Sequence, residues 1–329
     1  MSTSHAGTAN LWAHRLQWDL YAALLLIAAL NCVPLWVEGP YLLGIVIVSV
    51  YFALLALGWN LLAGYTGQFS MAPAAFAMLG GYVTAMLDYY GQVSLWIGVP
   101  MAVIVTCLVG LLLGKLVLDL KGPYLSLTTL SFAEILRVII SNSHEWTRGD
   151  QGMGVATFTE SRIAYFYIFS TVLTLVVLGL YLLLRGKTGR FLLAVRDDPV
   201  GASTRGINVT RSKMIAFAIS CAICGLAGAL YGTFSKLVSP ELGLMQQTGM
   251  VISMVVIGGM ASLTGSIFGA FLVYLCSEWL RAFGNIQMIV FALVVILFAR
   301  YMRGGLWGFV SLRLAAWRSA VADAKGERN

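Results

Sequence analysis

The chain has 329 residues, 59% of them hydrophobic and 11% charged, with a formal net charge of +7 and a mean hydropathy of +0.85. A soluble domain carries about 25% charged residues, so a soluble fold could not hide this much apolar surface, and the bilayer is the natural solvent. The excess of Lys and Arg over Asp and Glu, 21 against 14, reads in a membrane chain as loops facing the cytoplasm, not as a nucleic-acid surface.

A membrane-spanning helix needs about 20 mostly apolar residues. In chain order such runs cover residues 20–37, 41–63, 71–87, 94–114, 123–141, 163–184, 214–234, 247–258, 266–280 and 286–299, ten in all and two of them short. Six to eight full helices plus broken ones fit the same pattern. The expected fold is therefore an all-α polytopic membrane protein, a permease domain over residues 20–302. Residues 1–19 and 303–329 form tails, and residues 142–162 form a loop. Pro34 and Trp36 stand where a signal peptidase would need small residues, so the first run reads as a span and not a cleaved leader.

With both ends on one side, sixteen Lys and Arg fall on that side and four on the other, namely Arg148, Arg162, Lys236 and Arg281. The positive-inside rule makes the crowded side cytoplasmic, both termini included. Seven of the sixteen lie between Arg185 and Lys213.

Two segments interrupt the helical pattern, "GYTGQFSMAP" at 64–73 and "GGMASLTGS" at 258–266. Irregular backbone at membrane depth survives only where it is buried in protein or lines a cavity, and paired breaks in two halves of a transporter mark its pathway. Two readings stand: tight turns at the cytoplasmic surface, or a contribution to a path or gate. Under the second, Gln68, Phe69 and Ser70 in one break and Thr264 and Ser266 in the other offer transient contacts to a solute.

The 185–213 stretch opens with Gly186-Lys187-Thr188, the tail of a phosphate-loop signature. That signature needs a glycine at position 181, between a strand and a helix. Tyr181 stands there at the end of an apolar span, so the chain holds no nucleotide of its own. The stretch reads instead as two short helices. In the first, Phe191, Leu192 and Val195 form an apolar face with Arg190 and Arg196 opposite. Asp198 followed by Pro199 starts the second by N-capping, and Gly206 ends it. Such a surface suits either anionic lipid or a soluble cytoplasmic partner.

Charges inside spans are costly and often functional. Glu134 and Arg137 stand three apart and predict an ion pair on one helix face. Asp88, Glu278 and Arg281 fall at span ends and read as boundary charges. The five cysteines all lie in apolar runs, and Cys221 with Cys224 lacks further ligands, so neither metal nor disulfide is expected. Glycines four apart (110 and 114, 228 and 232, 265 and 269) predict close helix packing.

"LGWNLLAGYTGQFSMAPAAFAMLGGYVTAML", "TRGDQGM", "GRFLLAVRDDPVGASTRGINVTRSKMIAFAIS" and "FSKLVSPELG" with "MVVIGGMASLTGSIFGAFLVY" occur in that order. Together they resemble the signatures of the membrane permeases of branched-chain amino acid ABC importers, nearer the LivM-like branch than the LivH-like one. The resemblance covers residues 41 to 300. It departs at Ala72-Pro73, where the family usually carries Gly-His after one apolar residue.

The resemblance implies a bacterial inner-membrane complex of two permeases, commonly a LivM-like and a LivH-like pair, with two ATPases and an external binding protein. ATP is then bound by the partners, and this chain carries no cofactor and no catalytic residue. It also implies that Gly189–Gly206 is the coupling segment. Gly189 and Ala194 would allow close approach, and Arg190, Arg196, Asp197 and Asp198, with Pro199 and Gly206 shaping the turn, would meet the ATPase. An ion-driven secondary transporter is the alternative, but it calls for membrane carboxylates beyond Glu134. An intramembrane enzyme would need histidines in the spans, and His5, His14 and His144 lie outside them.

Overall fold

The computed structural model describes residues 3–36, 39–117, 120, 122–281, 290, 292–293, 295–297 and 305–308, with side chains of the first helix from Leu16 onward. The chain is helical as expected. Helices α1 (Thr3–Asn31), α2 (Val33–Trp36), α3 (Pro40–Thr66), α4 (Pro73–Gly91), α5 (Leu95–Val117), α6 (Pro123–Asn142) and α7 (His144–Thr147) make up the first half. Helices α8 (Arg162–Arg185), α9 (Lys187–Asp197), α10 (Pro199–Thr204), α11 (Val209–Ser235), α12 (Met245–Gly258) and α13 (Leu263–Leu280) make up the second.

Six of these, α3, α5, α6, α8, α11 and α13, are long and apolar enough to cross a membrane; α12 and the Leu16–Asn31 part of α1 are shorter apolar helices. α4, at 19 residues, is a buried element between its neighbours. Nine of the ten apolar runs thus correspond to helices, and the last, 286–299, lies for the most part outside the described residues. The first run is not preceded by a separate tail among the described residues, because α1 begins at Thr3.

The core forms around α3. Of its most apolar window 72% is buried, against 22% for α6, which packs on α4 and on the short turns at 149–151 and 240–243 and leaves its other side open. Pro40 starts α3 where a missing N–H costs nothing. Gly67 ends it in the left-handed region (φ 70°), letting the amides of Gly67 and Gln68 both close on the Leu62 carbonyl. Glycine seams then set the closest approaches. A Cβ on Gly228 would overlap the Ala77 backbone of α4, and one on Gly258 the Gly265 backbone of α13. Small residues permit such contact in lipid, where dispersion replaces the hydrophobic drive between helices. Cys221 and Cys224 fill two further seams, against Gly110 and Gly58.

Contacts sort the helix ends into two sets. At one end Tyr41 donates to Glu278 (2.8 Å), Arg162 to the Pro40 carbonyl (2.5 Å) and the Ala156 amide to Asp88 (2.8 Å). There a two-stranded antiparallel ribbon pairs β1 (Met153–Gly154) with β2 (Leu237–Val238), Met153 opposite Val238. The 142–162 loop is therefore ordered by short elements. The other end gathers the end of α3, the start of α4, α9, and the α12–α13 junction.

Candidate coupling site

The charge-dense stretch folds as its residues predict. Asp198 accepts the Val200 amide (3.0 Å), Pro199 takes the first position of α10, and Gly206 closes the helix at φ 80°. Leu192 and Val195 are buried against the helices above them. Gly189 sits so near the end of α8 that a Cβ would overlap the Leu184 backbone, which fixes the angle between α8 and α9.

Two expectations are corrected. Phe191 is exposed and does not join the apolar face, since only the residues three apart point inward. Arg196 does not point away from the protein: its Nη1 donates to the Gly64 carbonyl of α3 (3.0 Å) and its stem crosses Gly67. It also pairs with Asp197 at 3.0 Å. Arg196, Asp197 and Asp198 are thus engaged within this chain, and Arg190 has no partner among the described residues. Ala194 gives its carbonyl to the Asp198 amide (3.1 Å).

Above Arg196, two consecutive residues of α3 hold the two breaks. Trp59 donates its indole N–H to the Ser70 carbonyl of the first (2.7 Å). Asn60 donates to the Ser262 carbonyl of the second and accepts the Ala261 amide, each at 2.9 Å. Both side chains are almost wholly enclosed, Trp59 1% and Asn60 0% exposed. Gly64 makes room for the second contact, because a Cβ there would meet the Asn60 oxygen and the Ala261 nitrogen.

The first break is clasped further by Thr129 of α6, which accepts the Met71 amide (2.9 Å), and by Thr248 of α12 at 3.5 Å from the Met71 carbonyl. In the second, Gly259 (φ 129°) and Ala261 (φ 58°) make the turn. Ser262 N-caps α13 by accepting the Gly265 amide (2.9 Å). Asp19 of α1 reaches the same cap: its carboxylate accepts from Ser262 Oγ (2.8 Å) and from the amides of Leu263 (2.6 Å) and Thr264 (3.3 Å). Thr264 Oγ1 returns a bond to the Asp19 carbonyl (2.6 Å).

The residues expected to offer contacts to a solute are mostly engaged elsewhere. Gln68, Ser70, Thr264 and Ser266 are buried; Thr264 and Ser266 bond to backbone carbonyls, and Ser70 accepts the Ala72 amide (3.3 Å). Two differ: the buried Gln68 Nε2 has no partner among the described residues, and Phe69 is 40% exposed and set edge-on against Trp59 at 5.1 Å between ring centroids. At the departure from the family pattern, Pro73 takes the first turn of α4 and Ala72 precedes it. Glu134 and Arg137 do form the expected ion pair, on the open side of α6. Trp59, Asn60 and Asp19 were not singled out from the sequence; each sits in or beside an apolar run, and only a polar group among apolar neighbours hinted at a role.

The chain matches the family described as "Branched-chain amino acid transport system / permease component" over residues 41–299. It is 30% identical over 342 residues to the high-affinity branched-chain amino acid transport system permease protein LivM of Escherichia coli (strain K12), covering 93% of this chain and 79% of the relative. To LivH of the same strain it is 24% identical over 279 residues, 77% of this chain and 90% of the relative. To the fructose import permease protein FrcC of Rhizobium meliloti it is 33% identical over 219 residues, 59% of this chain and 60% of the relative. No solved structure matches the chain.

Proposed function

The chain belongs to the family of permease components of branched-chain amino acid transport systems, and from that premise we propose that α9 and α10 are the surface on which a separate ATPase pushes. The protein is a LivM-like transport subunit and not an enzyme. Its complete assembly is a bacterial inner-membrane importer with a LivH-like permease, two cytoplasmic ATPases that bind ATP, and an external binding protein that delivers branched-chain or related amino acids. The alternation of helix ends from α1 to α13 supports a reading of ten spans with both termini on the ATPase side, the tenth lying for the most part outside the described residues.

One observation supports the coupling role above the rest: Arg196 of α9 meets Gly64 within a turn or so of Trp59 and Asn60, the residues that hold the two breaks. A displacement of α9 then moves the end of α3, and α3 carries both junctions with it. Discrete rearrangement of packed elements is how such shifts are transmitted. In the importer reconstituted with its ATPase and binding protein, Arg196→Ala is expected to lower solute taken up per ATP hydrolysed by about tenfold. Uptake per ATP equal to the unsubstituted complex overturns the assignment.

The second permease is placed on the open side of α6. Glu134 and Arg137 lie there in the body of a span, and charges in spans face a protein seam or a water-filled cavity, not acyl chains. A path between the two permeases would run along this face, with Phe69 as the break residue that reaches toward open space. Cysteine at Ser131, on the same exposed face, is expected to cross-link to the partner permease; free reaction with a lipid-phase reagent in the intact complex would count against this placement.

A further inference from the structure

Asp19 is a buried carboxylate to which neither the coupling segment nor the open face of α6 assigns a task. Its surroundings show that it is more than an ordinary cap. The first amides of any helix lack partners within it; of those in the first turn of α13, Gly265 closes on the local cap Ser262, and the regular helical bonds begin at Ser266. The remaining two, Leu263 and Thr264, close on Asp19, from a helix more than 240 residues earlier. All donors to this carboxylate are neutral, and it is 8% exposed. A buried charge costs solvation free energy that a neutral side chain would not, and the three bonds it accepts from the junction offset that cost. What the charge adds is a strong, directed grip of α1 on the α12–α13 junction.

That junction is gripped from two sides only among the hydrogen bonds described: Asn60 of α3 and Asp19 of α1. Since α3 is the element that Arg196 meets, we infer that Asp19 is a positioning residue for transport. It fixes the second break to α1, so that movement of the α3 end bends the junction instead of carrying it along freely. Without the carboxylate, the junction follows α3 as a loose passenger and ATP is hydrolysed with less solute moved. This rests on the coupling role of α9.

The test uses the complete importer in proteoliposomes, with uptake and ATP hydrolysis measured on the same preparation. Asp19→Asn keeps the shape and one acceptor oxygen but turns an NH2 toward a backbone amide; Asp19→Ala removes the grip. Uptake per ATP is expected to fall about fivefold or more in Asp19→Asn and further in Asp19→Ala. Ser161→Ala, which removes the local cap of α8 at the opposite end, is expected to leave that ratio unchanged. Should Asp19→Ala fail to assemble, Asp19→Asn alone decides. An unchanged ratio in Asp19→Asn, or a lower yield of complex with an unchanged ratio per assembled complex, overturns the inference and leaves Asp19 a structural cap. Arg196→Ala measured in parallel separates the two failures: if its ratio falls while that of Asp19→Asn does not, the coupling role stands and the positioning role is lost.

Discussion

The two breaks are alike in composition and unlike in how they are held. The first is an irregular strip between α3 and α4, fastened through its carbonyls and one amide by an indole and two threonines. The second is a strained turn with Gly259 and Ala261 at positive φ, fastened by an amide side chain and a carboxylate. Neutral single hydrogen bonds contribute about 1 kcal/mol net, and bonds to a charged group about 1.5–3 kcal/mol. The first break is therefore the looser of the two, and the second a firm joint between four helices, α1, α3, α12 and α13.

Substitutions that break or sharpen this contrast rank by size. Gly258→Val should be the most damaging, since its side chain must enter the Gly265 backbone of the facing helix; loss of folded, detergent-soluble protein on size exclusion checks it. Asn60→Leu leaves the Ala261 amide without its bond and takes one donor from the Ser262 carbonyl, which Ser266 still bonds, and is expected to destabilise by about 2–3 kcal/mol in denaturant titrations of the purified protein. Trp59→Phe keeps an aromatic ring, removes one donor from the first break and trims volume from a buried site, for about 1–2 kcal/mol. The double variant of 59 and 60 should depart from additivity by about 0.5 kcal/mol or more, because both act through one turn of α3; strict additivity would mean that the breaks are independent. Thr248→Val, removing a contact at 3.5 Å, should fall within about 0.5 kcal/mol of the parent.

What the sequence disclosed was local. Asp198-Pro199 announced a helix start because an N-cap and a fixed φ act within three residues, and the structure has both. Glu134 and Arg137 announced a pair because helical periodicity places them together. The short run at 247–258 emerged as a 14-residue helix, and the glycines four apart emerged in helix seams. Long-range partners were not legible. Arg196 looked like a solvated charge opposite an apolar face, and nothing nearby in sequence announces the Gly64 carbonyl. Asn60 read as a tolerated polar residue in a span, and Asp19 as part of a tail, because their partners lie some 200 and 240 residues away. The polar residues of the breaks read as contacts for a solute, whereas Ser70, Thr264 and Ser266 bond to backbone groups of the chain itself. An irregular segment needs its own polar side chains first, before any can serve a passing molecule.

The grip of Asp19 on residues 262–264 also carries a clock. The first helix is made with its carboxylate in place, and its acceptors' partners come more than 240 residues later. At about 5–20 residues per second, the ribosome needs ten seconds or more to supply them. Through that interval the nascent chain holds an unsatisfied acid beside an apolar helix, at a cost that favours leaving this end near the headgroups. α1 has α8 to pack on before that, and its contact with the cap of α13 closes only when α13 has been made.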